Sequence, residues 1–369
     1  MHPVDCRNSV GYYLQQFASL CATPICSASE AFHKLISPLP DETSKKEEFF
    51  SRVFYALYAC GACVVGVPTG ALHLTARLVH HAVMDQPFVH LRGESDFLPV
   101  EMDTYTIMSW NVCVIAGGFA KSTGGMEHWS ERIDGIQATI ESKNPDILCL
   151  YEMQDTDFFN ALFQRLKGRF AECYTFLGAH PYKAVSGIVV FSRVRSSFEF
   201  NSFDSATGSA SWENKGFAHM VIGEKVQCVF THLQHGPASS KAVADVRNDQ
   251  LRQIIRTVDR MDVPAILCGD MNVDATGVEF GSSLLNSAFL HGDLETSTWT
   301  SFFIRKVWKG QRDPELFEKK LDYVCMRDQR DVEKRVQVKE ETVGAYSVSV
   351  PIWSVSDHHA KLASVRIID

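Results

Sequence analysis

The pattern of hydrophobic and polar residues changes near residue 97. Beyond it, short runs rich in β-branched and aromatic residues recur, and amphipathic stretches separate several of them. The short runs predict strands at Tyr105–Val114, Asp146–Tyr151, Gly187–Ser192, Phe217–Ile222, Val226–Thr231, Ala265–Cys268, Leu321–Met326 and Ala360–Ile367. Apolar residues three and four apart predict helices at His128–Lys143, Asp157–Lys167 and Lys241–Met261. We therefore expect an α/β domain over residues 97–369, with two packed sheets and helices outside.

A different pattern precedes this domain. Residues 54–72 contain no charged side chain and approach the roughly 20 apolar residues that cross a bilayer. Glycines dilute the run, and a break near Gly66 and Pro68 would divide residues 49–84 into two helical arms. A re-entrant hairpin or an interfacial anchor then fits as well as a full span, and a buried helical pair is the alternative. We expect residues 48–96 to form an apolar helical segment, associated with a membrane through residues 48–84.

Residues 1–47 form a separate amino-terminal region in this scheme, ending in a polar, proline-bearing linker over residues 38–47. Asp5 and Arg7 lie among the first residues without the basic-then-apolar gradient of a cleavable secretory signal, so no such signal is expected. The compartment is left open.

Composition narrows the possible partners. A chain of 369 residues that is 45% hydrophobic can bury a large core. Its formal net charge of -8 gives little reason to expect strong attraction to nucleic acid, which depends on phosphate neutralisation. No specific nucleic-acid partner is expected.

Polar and acidic residues repeatedly occur where an apolar strand stops. The recurring positions are Asn111, Glu152, His232, Asp270, Asn272, Asp322, Asp357 and His358. Each one alone has an ordinary explanation as a cap or turn residue. Because the ends of strands meet at the edge of a sheet, the set as a whole predicts a polar cleft.

The residue types in this set suit phosphodiester hydrolysis, which needs a hard cation, a base that directs water and a group that stabilises the leaving oxygen. Magnesium prefers oxygen ligands and keeps several waters. Glu152, Asn111 and Asp357 are therefore candidate metal ligands, for magnesium or for manganese.

The remaining candidates suit acid–base and positioning roles. Asp270 and Asn272 lie two residues apart at a strand end and can fix a water or a phosphate oxygen. His358 titrates in the range of a general base, and Asp322 can hold its other ring nitrogen. We expect these four residues and His232 to form the catalytic set.

Six short segments, in this order, resemble the motifs of the endonuclease/exonuclease/phosphatase superfamily, which includes DNase I. These segments are Ser109–Val112, Pro145–Glu152, Ser186–Ser192, Cys268–Asn272, Leu321–Tyr323 and Ser356–His358. The resemblance implies a four-layer α/β sandwich of two packed, mostly antiparallel sheets flanked by helices. It also implies a magnesium ion at Glu152 and Asn111, with His358 as general base paired to Asp322. Tyr151, where the superfamily usually has Gln, is a departure from the pattern.

A second set of residues resembles the neutral sphingomyelinases within that superfamily: Lys215, Gly216, Thr231, His232, Gln234, Arg247 and Gln250. The resemblance implies that His232 stabilises or protonates the leaving alkoxide. It also implies that Lys215, His232 and Asn272 contact the substrate, with Lys215 near its phosphate. Alternatively, Lys215 is a solvated charge at a strand edge, and Arg247 pairs with a neighbour on its own helix, Asp245 or Asp249.

The expected function is magnesium-dependent cleavage of sphingomyelin to ceramide and phosphocholine at a membrane surface. The alternatives are a DNase I-like nuclease, a phosphoinositide phosphatase and a degenerate membrane-bound scaffold without activity. Residues 299–309 combine four aromatic with three basic residues and suit either a bilayer interface or, in part, the core.

Overall fold

A computed structural model describes residues 2–3, 6–36, 45–99, 102–115, 126, 128–237, 239–300, 318–327, 335–344 and 355–368. Most of the aromatic and basic segment at 299–309, from residue 301 onward, lies outside the described residues, as do residues 38–44 of the predicted linker. The helices, in chain order, are α1 Cys6–Ile36, α2 Lys45–Val83, α3 Trp129–Lys143, α4 Thr156–Leu166, α5 Lys241–Val258, α6 Val278–Ser282 and α7 Leu284–Ala288.

The first two helices pack against each other as the amino-terminal hairpin (α1 and α2). Gly66 and Gly70 of α2 lie against Ile25 of α1, and a Cβ atom at Gly66 would lie only 2.9 Å from Cγ1 of Ile25. Two small residues four apart let helix backbones approach closely, as at many membrane helix contacts. Farther along the pair, Nδ1 of His73 lies 2.7 Å from the carbonyl oxygen of Ala18.

The break expected near Gly66 and Pro68 is wrong, because α2 continues through Pro68 as one helix. Proline cannot donate a backbone hydrogen bond to the preceding turn. The hydroxyl of Thr69 donates to the carbonyls of Val65 and Gly66, at 3.1 and 3.3 Å, which adds side-chain hydrogen bonds to the helix beside Pro68. The second arm of the hairpin is α1, which comes from the region before the predicted linker.

The strands, in chain order, are β1 His2–Pro3, β2 Val89–Arg92, β3 Thr104–Val114, β4 Ile147–Met153, β5 Glu172–Thr175, β6 Val189–Ser192, β7 Ser197–Ser202, β8 Gly216–Ile222, β9 Val226–His232, β10 Ala265–Asp270, β11 Phe289–His291, β12 Trp299–Thr300, β13 Glu318–Lys319, β14 Asp322–Arg327, β15 Val336–Val343 and β16 Ala360–Ile367. Every strand expected from the sequence is present, with ends shifted by a few residues. The strands β2, β7 and β15 were not expected, because β2 has only four residues and because β7 and β15, at the edges of the sheets, are mostly polar.

Within the described residues the strands form two large sheets and a two-stranded ribbon, β12–β13. The first sheet has the order β1-β2-β5-β6-β4-β3-β16-β15, and the second has the order β11-β14-β10-β9-β8-β7. Most neighbours are antiparallel, but β3 with β4 and β9 with β10 are parallel. The parallel pairs bring the carboxyl ends of four strands to one side of the molecule.

Side chains alternate between two cores along each strand of the first sheet. Ile107 and Cys149 face the second sheet and belong to a core between the sheets. Met108 and Leu148 face outward and pack with apolar side chains of α3 and α4. A third core lies between the second sheet and α5. The domain is therefore a four-layer α/β sandwich, helix–sheet–sheet–helix, which confirms the expected fold class.

Candidate active site

Three polar residues lie side by side at the carboxyl edge of the second sheet. Asp270, the last residue of β10, pairs in register with His232 of β9 on one side and Asp322 of β14 on the other. Neighbouring strands lie close to 5 Å apart, so side chains on one face of such a row reach one another. The polar strand ends predicted from the sequence meet in space here.

Asp270 lies at the centre of this group. Its Oδ2 atom lies 3.7 Å from Nε2 of His232 and 3.8 Å from Nε2 of His358. The side-chain amide of Asn111 donates to the same oxygen at 3.1 Å. The backbone N–H of Asn272 donates to Oδ1 at 2.9 Å. Residues from both sheets thus converge on one carboxylate.

The ring of His358 is fixed at its other nitrogen. Nδ1 lies 2.7 Å from Oδ2 of Asp322, so Nε2 is left facing the cleft. The indole of Trp110 donates to the carbonyl of His358 at 2.9 Å, and Ser356 accepts from its N–H at 3.2 Å. Burial alone lowers the pKa of His358, but Asp322, followed by Asp357, more than offsets this and raises it well above its usual range.

The acidic groups of the cleft disfavour one another's charge. Burial raises the pKa of Glu152 to about 7, and the charge of Asp357 adds to this effect. Burial also raises the pKa of Asp270, to about 6, although the nearby His358 lowers it. Buried carboxylates crowded in this way bind a cation readily, because its charge offsets both the burial and the mutual repulsion that raise their pKa values.

The donor set fits a divalent cation. Ligand atoms of Glu152, His232 and Asp270 lie within 4.8 Å of one another, and so do those of Asp270, Asp322 and His358. Oxygen ligands predominate, as hard cations such as magnesium require. Of the predicted ligands, Asn111 turns its amide nitrogen to Asp270, while its oxygen accepts from the N–H of Cys113 at 3.0 Å. A carbonyl oxygen has a second lone pair, so this contact still permits coordination.

Three residues at the strand ends of the cleft have left-handed backbone. Cys113, Glu152 and Asn272 have φ angles of 48°, 56° and 52°, although none of them is glycine. Such a conformation costs about 1 to 3 kcal/mol per residue and persists only where surrounding contacts enforce it. The conformation is part of how the chain turns these side chains toward the cleft.

Lys215 is buried, so its interpretation as a solvated strand-edge charge is wrong. Its Nζ atom lies 3.3 Å from a carboxylate oxygen of Glu213. Burial, followed by the positive charge of Lys215, holds the pKa of His232 well below its usual range. Lys215 therefore lies near His232, and burial together with this charge favours the neutral form of the imidazole. The amide nitrogen of Asn272 donates to the carbonyl of Leu233 at 3.2 Å and so holds the turn after His232.

Arg247 does not pair with Asp245 or Asp249, as the alternative had it. Its guanidinium donates to a carboxylate oxygen of Glu279 at 2.5 Å, and both side chains are buried away from water. It also donates to the carbonyls of Gln234 and Gly236, both at 2.7 Å. Arg247 thus fixes the loop that follows His232.

Arg132, which was not predicted as a functional residue, lies on the buried face of α3. This guanidinium donates to the carbonyls of Val112, Val355 and Cys113 at 2.8, 2.7 and 2.8 Å. It joins the turn after Asn111 to the segment that carries His358. Its position beside Ile133, on the apolar stripe of the helix, was only a weak indication of a buried role. A single charged residue next to such a stripe usually faces solvent.

Tyr151, the departure from the superfamily pattern, makes polar contacts in the interior. Its buried hydroxyl donates to the carbonyl of Cys268 at 3.1 Å and lies 3.0 Å from the hydroxyl of Ser109. The ring connects the two sheets directly beneath Glu152 and Asp270.

The model of the Endonuclease/Exonuclease/phosphatase family matches residues 108–358, a span that contains every candidate site residue. The chain belongs to this family. Its members are metal-dependent phosphoric ester hydrolases. Among curated proteins, Nocturnin from Xenopus laevis is 27% identical over 238 residues, which cover 56% of this chain and 59% of Nocturnin. The chain thus spans less than two thirds of that relative's length.

Solved structures of the same fold include three from proteins with different names. Beta toxin from Staphylococcus aureus with bound magnesium ions has a TM-score of 0.55 at 20% identity, covering 71% of this chain and 99% of the toxin. Sphingomyelinase C from Streptomyces griseocarneus has a TM-score of 0.51 at 20% identity, covering 71% and 99%. D. rerio TDP2 complexed with a single-strand DNA product has a TM-score of 0.53 at 17% identity, covering 72% and 100%. At these identities the similarity shows the fold alone.

Proposed function

We propose that this family member is a magnesium-dependent phosphodiesterase that cleaves sphingomyelin to ceramide and phosphocholine. The observation that carries the proposal is the pair of imidazoles on either side of Asp270, with Nε2 of His232 at 3.7 Å and Nε2 of His358 at 3.8 Å from one oxygen. Two such nitrogens can serve the attacking and the leaving side of one phosphorus atom.

In this proposal Glu152, Asn111 and Asp357 hold the divalent cation, which neutralises charge on the phosphate oxygens and offsets the crowded carboxylates. Manganese satisfies the same donor set. Lys215 and Asn272 bind the phosphate side of the substrate. Lys215 is suited to this because it is a buried cation whose only carboxylate partner within 4.0 Å, among the described residues, is Glu213.

Hydrolysis then follows from the side chains. A cation held by Asp357 would offset one of the charges that raise the pKa of His358 and so favour its neutral ring. Asp322 then holds His358 so that Nε2 accepts a proton from a water molecule, while Asp270 orients that water. The water oxygen bonds to phosphorus, and the bond from phosphorus to the ceramide oxygen breaks. His232, neutral because burial and Lys215 lower its pKa, donates a hydrogen bond to the departing oxygen. That oxygen takes up a proton from solvent, and His358 returns its proton to solvent, which restores the starting state.

Sphingomyelin as the substrate is supported by the similarity in fold to a sphingomyelinase C and by the apolar amino-terminal hairpin, which suits a substrate within a bilayer. The net charge of -8 does not favour a nucleic acid. A nuclease is the second candidate, because TDP2 shares the fold and its structure contains single-strand DNA. A phosphoinositide phosphatase and a scaffold without activity are the remaining alternatives.

The test is release of phosphocholine from sphingomyelin vesicles, run in parallel with single-strand DNA, plasmid DNA and phosphoinositides. We expect turnover of sphingomyelin that a chelator abolishes and magnesium or manganese restores. Glu152→Gln should reduce turnover by about a thousandfold or more, since it removes a charged ligand. Glu224→Gln is the matched control, because Glu224 is exposed at the turn between β8 and β9.

Faster cleavage of DNA or of a phosphoinositide than of sphingomyelin would transfer the assignment to that substrate. A purified, folded chain that cleaves none of them with magnesium present would support the scaffold. Turnover that persists with the chelator would contradict the metal-dependent mechanism.

A further inference from the structure

The amino-terminal hairpin is fixed to the catalytic domain by polar contacts at its base. The hydroxyl of Tyr12 donates to Asn160 at 2.9 Å. The amides of Gln16 and Asn160 bond reciprocally, at 3.0 and 2.8 Å. The side chain of Asn8 accepts from the N–H of His90 at 2.8 Å. Paired amides specify one orientation, so these contacts fix the orientation of the hairpin relative to the catalytic domain.

The base of the hairpin lies at the catalytic edge of the domain. Asn160 belongs to α4, the helix that follows Glu152, and the ring of Tyr12 lies 6.5 Å from that of Phe176. Phe176 follows the carboxyl end of β5, and β5 pairs antiparallel with β6. Gly187, just before β6, lies against the backbone of Glu152. The hairpin therefore leaves the domain on the same side as the cleft.

A surface loop over residues 178–186 connects the hairpin with the substrate side of the cleft. Arg77 of α2 donates to the carbonyls of His180 and Lys183. Next to them, Ala184 donates to the carbonyl of Trp212 at 2.7 Å and accepts from the N–H of Asn214 at 2.8 Å. Residue 214 directly precedes Lys215. The loop and the stretch over residues 208–213 are thus held in register with α2.

Both of these segments present an exposed aromatic side chain. Tyr182 is 67% exposed and Trp212 is 74% exposed. Aromatic residues with a polar group are enriched at the boundary between a bilayer and water. Exposed apolar side chains also line α2, from Phe49 to Leu72, and only 6% of its most apolar window is buried.

Helix geometry relates these features in depth. At 1.5 Å per residue, residues 53–72 of α2 extend over about 30 Å, close to the thickness of a bilayer core of about 30 Å. Arg77 lies five residues beyond Leu72, about 7.5 Å farther along the axis. The headgroup layer adds roughly 5 to 8 Å on each side of the core. The loop that Arg77 holds therefore falls at headgroup depth when the hairpin crosses the core.

We propose that the hairpin inserts into a phospholipid bilayer and docks the catalytic edge on it, with Tyr182 and Trp212 resting in the headgroup layer as a second membrane contact. The cleft then faces the bilayer in which the chain is anchored. The docking goes beyond the proposed reaction, since it does not depend on which phosphodiester is cleaved.

Hydrogen–deuterium exchange of the full chain tests this docking without reading turnover. The chain is compared in phosphatidylcholine nanodiscs and in amphipol, where no bilayer is present. We expect amides of residues 180–184 and 208–213 to exchange at least fivefold more slowly in nanodiscs. The turn over residues 223–225, at the opposite edge of the second sheet, should exchange equally in both.

Variants identify the contact. Tyr182→Ser with Trp212→Ser should return the two loops to the exchange seen in amphipol while the hairpin stays protected. Val278→Ser is the matched control, because Val278 is apolar and 97% exposed outside these loops. A protected hairpin with unprotected loops in the unmodified chain would overturn the proposal. Loop protection that also occurs in amphipol and grows with protein concentration would indicate contact between copies instead.

Discussion

Replacing Arg132 by methionine tests whether one buried side chain holds the two halves of the cleft together. Methionine keeps much of the apolar volume but cannot donate to the three carbonyls that Arg132 satisfies. A buried carbonyl left without a partner costs about 1 to 2 kcal/mol, so three cost about 3 to 6 kcal/mol. Because domains are stable by about 5 to 15 kcal/mol, the variant should still fold.

Arg132→Met should lose more free energy of unfolding than the same substitution of a surface arginine. Arg165, which pairs with Asp134 at the surface, is the matched control, and Arg165→Met should cost about 1 kcal/mol or less. Arg132→Lys should fall between the two, because an ammonium group keeps the charge and part of the bonding. Turnover of Arg132→Met should also fall, by about tenfold to a hundredfold, since Asn111 and His358 lie on the two joined segments.

Urea unfolding of the chain in a fixed detergent measures these free energies, and turnover is read at a temperature where each variant is folded. If Arg132→Met unfolds within 1 kcal/mol of the unmodified chain, the three carbonyls are satisfied in another way and the reasoning fails. A loss of stability without any loss of turnover would show that the hydrogen bonds of Arg132 do not position the residues of the cleft.

Three further predictions concern buried charges. Asp322→Asn should lower turnover by about a thousandfold to ten-thousandfold with little loss of stability, because His358 loses the carboxylate that orients it; steady-state kinetics with circular dichroism checks this, and a loss under tenfold would contradict it. Lys361 is fully buried and lies 3.3 Å from both Asp293 and Glu340. Lys361→Met should lower the free energy of unfolding by about 3 to 5 kcal/mol. Lys320→Met should be neutral or stabilising at pH 7.5, because burial, followed by the charge of Lys361, lowers the pKa of Lys320 to about 8. Between pH 8 and 9.5 the unfolded chain keeps the Lys320 proton longer than the folded chain, so the unfolding free energy of the unmodified chain should rise relative to that of Lys320→Met by about 1 to 2 kcal/mol; urea curves at both pH values measure it, and a fall would reverse the assignment.

The parts of the structure that depend on local pattern could be predicted from the sequence. Each β-rich run became a strand, and the polar residues that ended them met around Asp270. This worked because a strand that stops at the edge of a sheet must present its last side chains there, whatever the rest of the fold does. The sequence could not show which strands are neighbours, so the row of His232, Asp270 and Asp322 was visible only in the structure.

Long-range partners of single residues could not be predicted. Arg132 and Arg247 each bond to carbonyls outside their own helices, and neither the place of Arg132 on an apolar stripe nor the family resemblance around Arg247 indicated these partners. The break expected near Pro68 failed for a related reason, since the rule for proline is local and the packing of Gly66 against Ile25 is not. The two glycines four apart in α2 were the one available signal for that contact.

The left-handed backbone of Cys113, Glu152 and Asn272 has a consequence for protein engineering. Glycine adopts these φ angles without penalty, so Glu152→Gly and Asn272→Gly relieve local strain while removing the side chains that we propose to bind the cation and the substrate. A library screened for thermal tolerance alone would therefore be drawn toward inactive clones at these positions. Any selection for a hardier version of this protein has to score turnover and heat resistance together.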